Sequence, residues 1–272
     1  MRHYFPLASA FSPVAVDLVG CGGTGSALAG RLVFLNQTLL ALGHPGISVT
    51  VYDPDHVTEA NVGRQLFYRE DIGHPKATIL ITRINQCTGF SWAAEPRRYP
   101  PSRDREAALV ITAVDTGKAR VTIGNALRVS GRDCIYWLDC GNSQQNGQVI
   151  LGTSRAVNQP EREDTIDRLP TVLDLYPEIG DPEGEKESGP SCSLAEAIEQ
   201  QDLYINQFVA LEASQLLWSA FRRGYIDYSV AYVSLQPRNT RVLPIDPNVW
   251  KRFGYRIGPK RPKRMKNEST RK

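Results

Sequence analysis

The 272-residue sequence is poor in the features that an oxidising or membrane setting demands. Its five cysteines (Cys21, Cys87, Cys134, Cys140 and Cys192) are odd in number and scattered, which argues against a disulfide framework. There is no C-x-x-C pair, so a structural tetrathiolate zinc is not expected. The four histidines, His3, His44, His56 and His74, suggest neither a metal cluster nor a histidine base. No apolar run approaches the roughly 18–20 residues that cross a bilayer. The opening residues Met1 to Pro6 lack the apolar stretch of a secretory signal. A cytoplasmic chain with no membrane partner is the expectation.

With 41% hydrophobic and 22% charged residues, the composition is that of a globular protein with a sizeable core. The net charge of +3 conceals an asymmetry. Residues Lys251 to Lys272 hold ten Lys/Arg and one acid, a local balance of +9, which leaves −6 for the rest. Residues 251–272 read as a basic, disordered tail. Such a tail either contacts nucleic acid or an acidic partner, or simply stays solvated.

Val14 to Val19 reads as a buried strand, and Thr24 to Leu42 as a helix stopped by Gly43-His44-Pro45-Gly46. Ile47 to Tyr52 is β-branched and alternating, which predicts a second strand. Helices over Lys76–Asn85 and Gly117–Val129 alternate with strands over Leu109–Val114, Cys134–Cys140 and Gln148–Thr153, the last entered from an Asn146-Gly147 turn. This order predicts an α/β, Rossmann-like, doubly wound and mainly parallel sheet. Residues 155–190 hold ten acids and five prolines and read as a long, mobile connection. A helix capped by Ser193, unbroken or with one break, should then run towards Arg223. An antiparallel pair, Tyr228–Leu235 and Thr240–Ile245, closes the chain as a C-terminal extension. One domain over residues 1–250 accommodates all of this.

Gly20-Cys21-Gly22-Gly23-Thr24-Gly25 lies between the first strand and its helix. Glycines at such a turn let backbone N–H groups approach a phosphate at the positive helix end. Asp53, ending the second strand, suits ribose hydroxyls. A dehydrogenase would share both features, so they leave an NAD(P) oxidoreductase open. The next motifs separate the readings. Asn61-Val62-Gly63-Arg64-Gln65, Gly73-His74-Pro75-Lys76 and Val114-Asp115 supply two cations and a second acid. A dehydrogenase does not need them, whereas attack on an α-phosphate, which builds charge on phosphate oxygens, does.

The order Gly-x-Gly-Gly-x-Gly, Asp-x-Asp-x-Val, Asn-x-x-Arg-Gln, Gly-x-Pro-Lys and a later Asp before a helix resembles the E1-like superfamily of ThiF, MoeB and HesA proteins. It is similar in particular to the ThiF-related proteins of PRTRC cassettes. The resemblance covers Val14 to Thr153 best. It implies an ATP- and Mg²⁺-dependent adenylation of the C-terminal carboxylate of a ubiquitin-like or sulfur-carrier protein. It also implies a homodimer and an E2-like partner. On this pattern Gly20, Gly22, Gly23 and Gly25 cradle the nucleotide and Asp53 binds ribose. Asn61, Arg64, Gln65 and Lys76 contact the phosphates, and Asp115 ligands Mg²⁺. The paired zinc cysteines of MoeB- and ThiF-like members are missing. Cys192, ahead of the expected helix at Ser193, is the candidate acceptor thiol, because a helix N-terminus lowers a thiol pKa. A non-catalytic nucleotide-binding scaffold is the alternative.

Overall fold

The structure, a computed structural model, describes residues 1–99, 107–129, 134–181 and 201–256. The strands are β1 (His3–Tyr4), β2 (Val14–Val19), β3 (Ile47–Tyr52), β4 (Ala93–Glu95), β5 (Leu109–Thr112), β6 (Tyr136–Asn142), β7 (Asn146–Thr153), β8 (Tyr225–Ile226), β9 (Tyr228–Leu235) and β10 (Arg238–Pro244). The helices of the α type are α1 (Gly23–Ala41), α2 (Lys76–Thr88), α3 (Gly117–Leu127), the single turn α4 (Val172–Leu175), α5 (Ile205–Arg223) and the short α6 (Pro247–Trp250).

Eight strands form one sheet in the order β10-β9-β7-β6-β5-β2-β3-β4. Pairs β4-β3, β3-β2, β2-β5 and β5-β6 are parallel, while β6-β7, β7-β9 and β9-β10 are antiparallel. The expected mainly parallel, Rossmann-like sheet with an antiparallel extension is therefore what the chain adopts. Strand order reverses between β2 and β5, and the carboxyl ends of those two strands open a crevice of the kind that holds ligands in such sheets.

Both faces of the sheet are covered. Val16, Leu18, Val49 and Val51 point to the side where α1, α2 and α5 supply Leu28, Leu32, Leu80, Ile81, Leu216 and Leu217. Val19, Val110 and Trp137 point to the other side, against Ile123 and Leu127 of α3 and Val172 and Leu175 of α4. This two-sided burial explains why the strands read as nearly continuous apolar runs. α1 ends where expected, and its buried Asn36 accepts a hydrogen bond from the Ile47 N–H at 2.8 Å, fixing the entry to β3.

Three expectations are corrected, and the start of a fourth element lies outside the described residues. Asn146 and Gly147 lie inside β7, and the reversal falls earlier, closed by Ser143 N–H donating to Asn146 O at 2.8 Å. The acidic stretch is packed through Asp181, because Val157, Ile166, Leu169, Val172 and Leu175 are spaced widely enough to look sparse yet all reach the core. The last long helix starts at Ile205 after a turn at Gln201–Tyr204, and Ser193 and Cys192 lie outside the described residues. The first six residues of the expected tail fold back on the body, with the ring of Phe253 set edge-on to Tyr176 and that of Tyr255 to Trp250.

The N-terminal residues staple this body together. Arg2 N–H donates to Asp164 O at 2.7 Å, and Ile166 N–H donates back to Arg2 O at 3.0 Å. His3 is fully buried; its Nδ1–H donates to Ile166 O at 2.7 Å, so Nε2 is left to accept from the Tyr136 hydroxyl at 2.8 Å. Burial holds its pKa down at about 4, against an ordinary 6.5. A depressed folded-state pKa contributes stability that is complete above the unfolded value and lost as pH falls through the folded one. Unfolding free energy should therefore drop by about 3 kcal/mol at this site between pH 6.5 and 4. His3→Gln, which keeps a donor and an acceptor but does not titrate, should lose correspondingly less in denaturant melts over the same pH range.

Candidate nucleotide-binding site

The carboxyl ends of β2 and β5 meet at a close backbone approach. Gly20 has φ +88°, and a Cβ there would lie 2.6 Å from the Ala113 carbonyl oxygen. A Cβ on Gly25 would lie 1.9 Å from the Gly20 carbonyl oxygen, so the first turn of α1 rests directly on the loop. Gly22 is different: its missing Cβ faces open space, with only Gln65 Nε2 at 3.9 Å. A Cβ on Gly23 would lie 2.6 Å from Asn206, so three of the four glycines are closely packed, and Gly22 leaves the N-terminus of α1 accessible to an anion.

Asp53 fixes this loop from below. Its two carboxylate oxygens accept from the Cys21 N–H at 2.6 Å and the Asp55 N–H at 2.8 Å. Each oxygen keeps a second lone pair, so a ribose hydroxyl still finds an acceptor. Residues 53–57 run beside 73–76 through Val57 N–H to His74 O and Lys76 N–H to Asp55 O, both at 2.9 Å. That pairing carries Lys76, the first residue of α2, to the glycine loop, where its buried ammonium lies 3.4 Å from Asp55 Oδ2.

The segment after Asp53 presents Arg64 and Gln65. Asn61 Oδ1 caps a helical turn by accepting from Thr58 N–H at 2.9 Å, and Asn61 O accepts from Gln65 N–H at 2.9 Å. Asn61 is not among the residues that line the cleft; its oxygen holds the turn that aims its neighbours, which leaves its amide N–H groups as donors. Arg64 donates to Gln201 Oε1 at 2.9 Å. Burial pushes its pKa down, and nearby Asp115 opposes that shift.

Asp115 follows β5. It does not cap α3, because the Thr116 hydroxyl accepts from Ala119 N–H at 3.2 Å. Its carboxylate opens into the cleft, yet the surrounding protein raises its pKa by desolvation; Lys76 and Arg120 act in the opposite sense, while Asp53 and Asp55 add to the rise. One cleft of about 1760 Å³ is thus lined by Gly20, Gly22, Gly23, Asp53, Arg64, Gln65, Lys76 and Asp115 together. Three buried atoms on its walls, Arg64 Nε, Gln65 Oε1 and Asn142 Nδ2, have no hydrogen-bond partner among the described residues. Unpaired buried polar atoms are costly in a folded chain, and their clustering here marks a place built for a polar ligand.

Sequence reasoning missed the floor of this cleft. Arg120 donates from Nε to both oxygens of Asp139 at 3.0 Å and from a terminal nitrogen to Cys140 O at 3.2 Å. Thr112 donates to Asp139 at 2.6 Å, and the Trp137 indole N–H donates to Thr112 at 2.8 Å. The signal was present: Arg120 is a cation on the stripe 117, 120, 123, 124 and 127 that α3 buries. Thr24, Asn206 and Gln201 were also missed. The Thr24 hydroxyl donates to Asn206 at 2.9 Å, and Asn206 donates to Gln201 at 3.3 Å. Cys21 and Cys140 are buried, and burial raises both thiols well above their ordinary range, consistent with space-filling roles.

The sequence matches the ThiF family over residues 10–242. The chain belongs to the ThiF family. No curated protein matches it as a relative. Its ThiF fold is similar to that of PaaA, at 16% identity and TM-score 0.54, over 89% of this chain and 67% of PaaA. It is also similar to E. coli MccB, at 15% identity and TM-score 0.56, over 88% of this chain and 64% of MccB. MccB solved with ATP matches at 12% identity and TM-score 0.55, over 88% of this chain and 66% of that one. The ThiF chain described here thus spans about two thirds of the length of these proteins, and at such identities the likeness is one of fold. Among the described residues no helix is long and apolar enough to cross a membrane.

The floor can be tested on its own. Arg120→Met strands the Asp139 carboxylate in the interior and should destabilise the fold by about 3–5 kcal/mol. Adding Asp139→Leu should recover much of that loss in the same chemical-denaturation measurement.

Proposed function

We propose that this chain adenylates the C-terminal carboxylate of a ubiquitin-like or sulfur-carrier protein, using ATP and Mg²⁺. The observation that carries the reading is the convergence of Arg64, Lys76 and Asp115 on one cleft at the glycine loop. A carboxylate oxygen attacks the α-phosphorus, the bond from that phosphorus to the bridging oxygen breaks, and pyrophosphate leaves. Arg64 and Lys76 stabilise the charge that builds on the phosphate oxygens. The α1 N-terminus and Gly22 hold the phosphates, and Asp53 orients the ribose.

Asp115 would hold Mg²⁺, which when bound neutralises phosphate charge as a Lewis acid. The donor set fits that ion in a particular way. Among the described residues no group of three His, Cys, Asp or Glu side chains forms a protein cage. Mg²⁺ commonly takes one or two carboxylates and completes its shell with substrate phosphates and water.

A second step, also proposed, passes the acyl group to Cys192: the thiolate attacks the acyl carbon, AMP leaves, and the thiol proton goes to solvent. That assignment rests on sequence alone. Pairing of two copies and delivery to an E2-like protein belong to the same proposal and rest on family membership.

ATP–pyrophosphate exchange, measured with candidate carrier proteins, tests the first step. Single Arg64→Ala, Lys76→Ala and Asp115→Ala changes should each slow exchange by about 10²–10³-fold, and chelation with EDTA should abolish it. Unaltered exchange in Asp115→Ala would remove that residue from the chemistry. The second step predicts a thiol-reducible adduct with the carrier on denaturing gels that is absent from Cys192→Ala.

A further inference from the structure

The cleft is larger than a nucleotide requires, since ligand sites commonly enclose about 300–1,000 Å³. Its remaining arm crosses the antiparallel extension in an ordered way. Gly141 pairs with Gln148, Gln148 with Tyr232, and Tyr232 with Arg241, so these four residues form one row across β6, β7, β9 and β10. Asn146, Ser234 and Asn239 form the next row on the same face. All seven line the cleft. The opposite face is apolar and packed: a Cβ on Gly147 would lie 2.2 Å from Val209 of α5. On the face opposite α5, beyond the buried pair Ile150 and Val230, the sheet thus carries a polar track that starts beside Arg120 and ends at the sheet edge.

Its charge is one-sided. Asp53, Asp55 and Asp115 all sit at the glycine-loop end, and among the described residues no Asp or Glu lines the arm. Arg241 is exposed on the edge strand and makes no ion pair among the described residues. Its neighbour Arg238 is engaged differently, its guanidinium lying 5.8 Å from the centre of the Phe208 ring. From Gly141 to Arg241 the track spans three strand spacings, about 14 Å, which an extended peptide covers in about four residues. The amides of Gln148, Asn146 and Asn239 suit peptide N–H and C=O groups and favour no side-chain charge, while the Tyr232 and Ser234 hydroxyls are already bonded to Tyr176 and to the Gln236 carbonyl.

We infer that Arg241 is a specificity-determining residue, selecting an acidic side chain about four residues before the reacting carboxylate of a polypeptide tail laid along this track. The inference rests on the adenylation reading, because that reading sets where the carboxylate stops. Arg241 acts at the edge, far from the phosphates, and so governs recognition of the tail more than the chemical step.

The test uses fluorescent octapeptides of neutral sequence with a free C-terminus, each carrying one Glu, Gln or Lys at the third, fourth or fifth position from that end. Binding to the full chain is read by anisotropy, and the same peptides unlabelled are assayed for ATP–pyrophosphate exchange. Glu at the best position should bind about tenfold more tightly than Gln, an effect that fades with added salt. Arg241→Glu should reverse the order so that Lys is preferred. Equal binding of all three peptides, no binding of any, or a Glu preference that survives Arg241→Glu would each overturn the inference. Charge-selective binding without any exchange would count against adenylation alone, and exchange blind to the substituted charge would count against Arg241 alone.

Discussion

Everything at the site depends on how closely two strand ends can approach. β2 and β5 are neighbours in the sheet, and the chain leaving each must turn away in opposite directions without colliding. Gly20 makes this possible, because its left-handed backbone and missing Cβ let it sit against the Ala113 carbonyl. Once that contact is set, α1 must start on one side of the crevice and Asp115 must emerge on the other. Asp53 then locks the arrangement by binding the Cys21 amide. A side chain at Gly20 would separate the two halves of the cleft before any ligand was considered.

The charges arranged around this contact are nearly balanced in the free chain. Lys76 leans on Asp55, Arg64 is drawn by Asp115, and Arg120 is neutralised by Asp139. These pairs differ in kind. Arg120 and Asp139 satisfy each other and Thr112 as well, in the interior, and so behave as scaffold. Lys76 meets its partner at 3.4 Å, with Asp55 largely in solvent, and Arg64 Nε has no partner among the described residues. Loosely paired cations can be re-aimed by a polyanion at little cost, whereas a satisfied buried pair cannot. The distinction separates groups available for chemistry from those that hold the floor.

Much of this was legible in the sequence because it is local. A strand that ends in glycines and opens a helix, or an Asp after a β-branched run, is specified within a few residues. The parallel sheet and its antiparallel closing pair follow from such segments, while the strand order and the rows across it come from the fold. Features that depend on distant partners were not legible. The use of the Asn61 oxygen by the Thr58 N–H, which fixes the turn before Arg64, was not legible either. Residues 155–181 look like a loop because their apolar residues are spaced for neither helix nor strand, and they pack only because β7 and α3 offer a surface. β4 is three residues long, too short to show a period. Arg120 reads as a surface charge until α3 is rotated onto the sheet.

The hydrogen-bonded chain from Trp137 through Thr112 to Asp139 has a practical side. It ties one of the four tryptophans to the salt-linked floor of the cleft, one strand away from Asp115. Indole emission depends on the electric field across the ring and on the donor strength of its N–H. A polyanion bound above Arg120 would change both, and Trp137, linked to that guanidinium through Thr112 and Asp139, would then report on occupancy of the cleft.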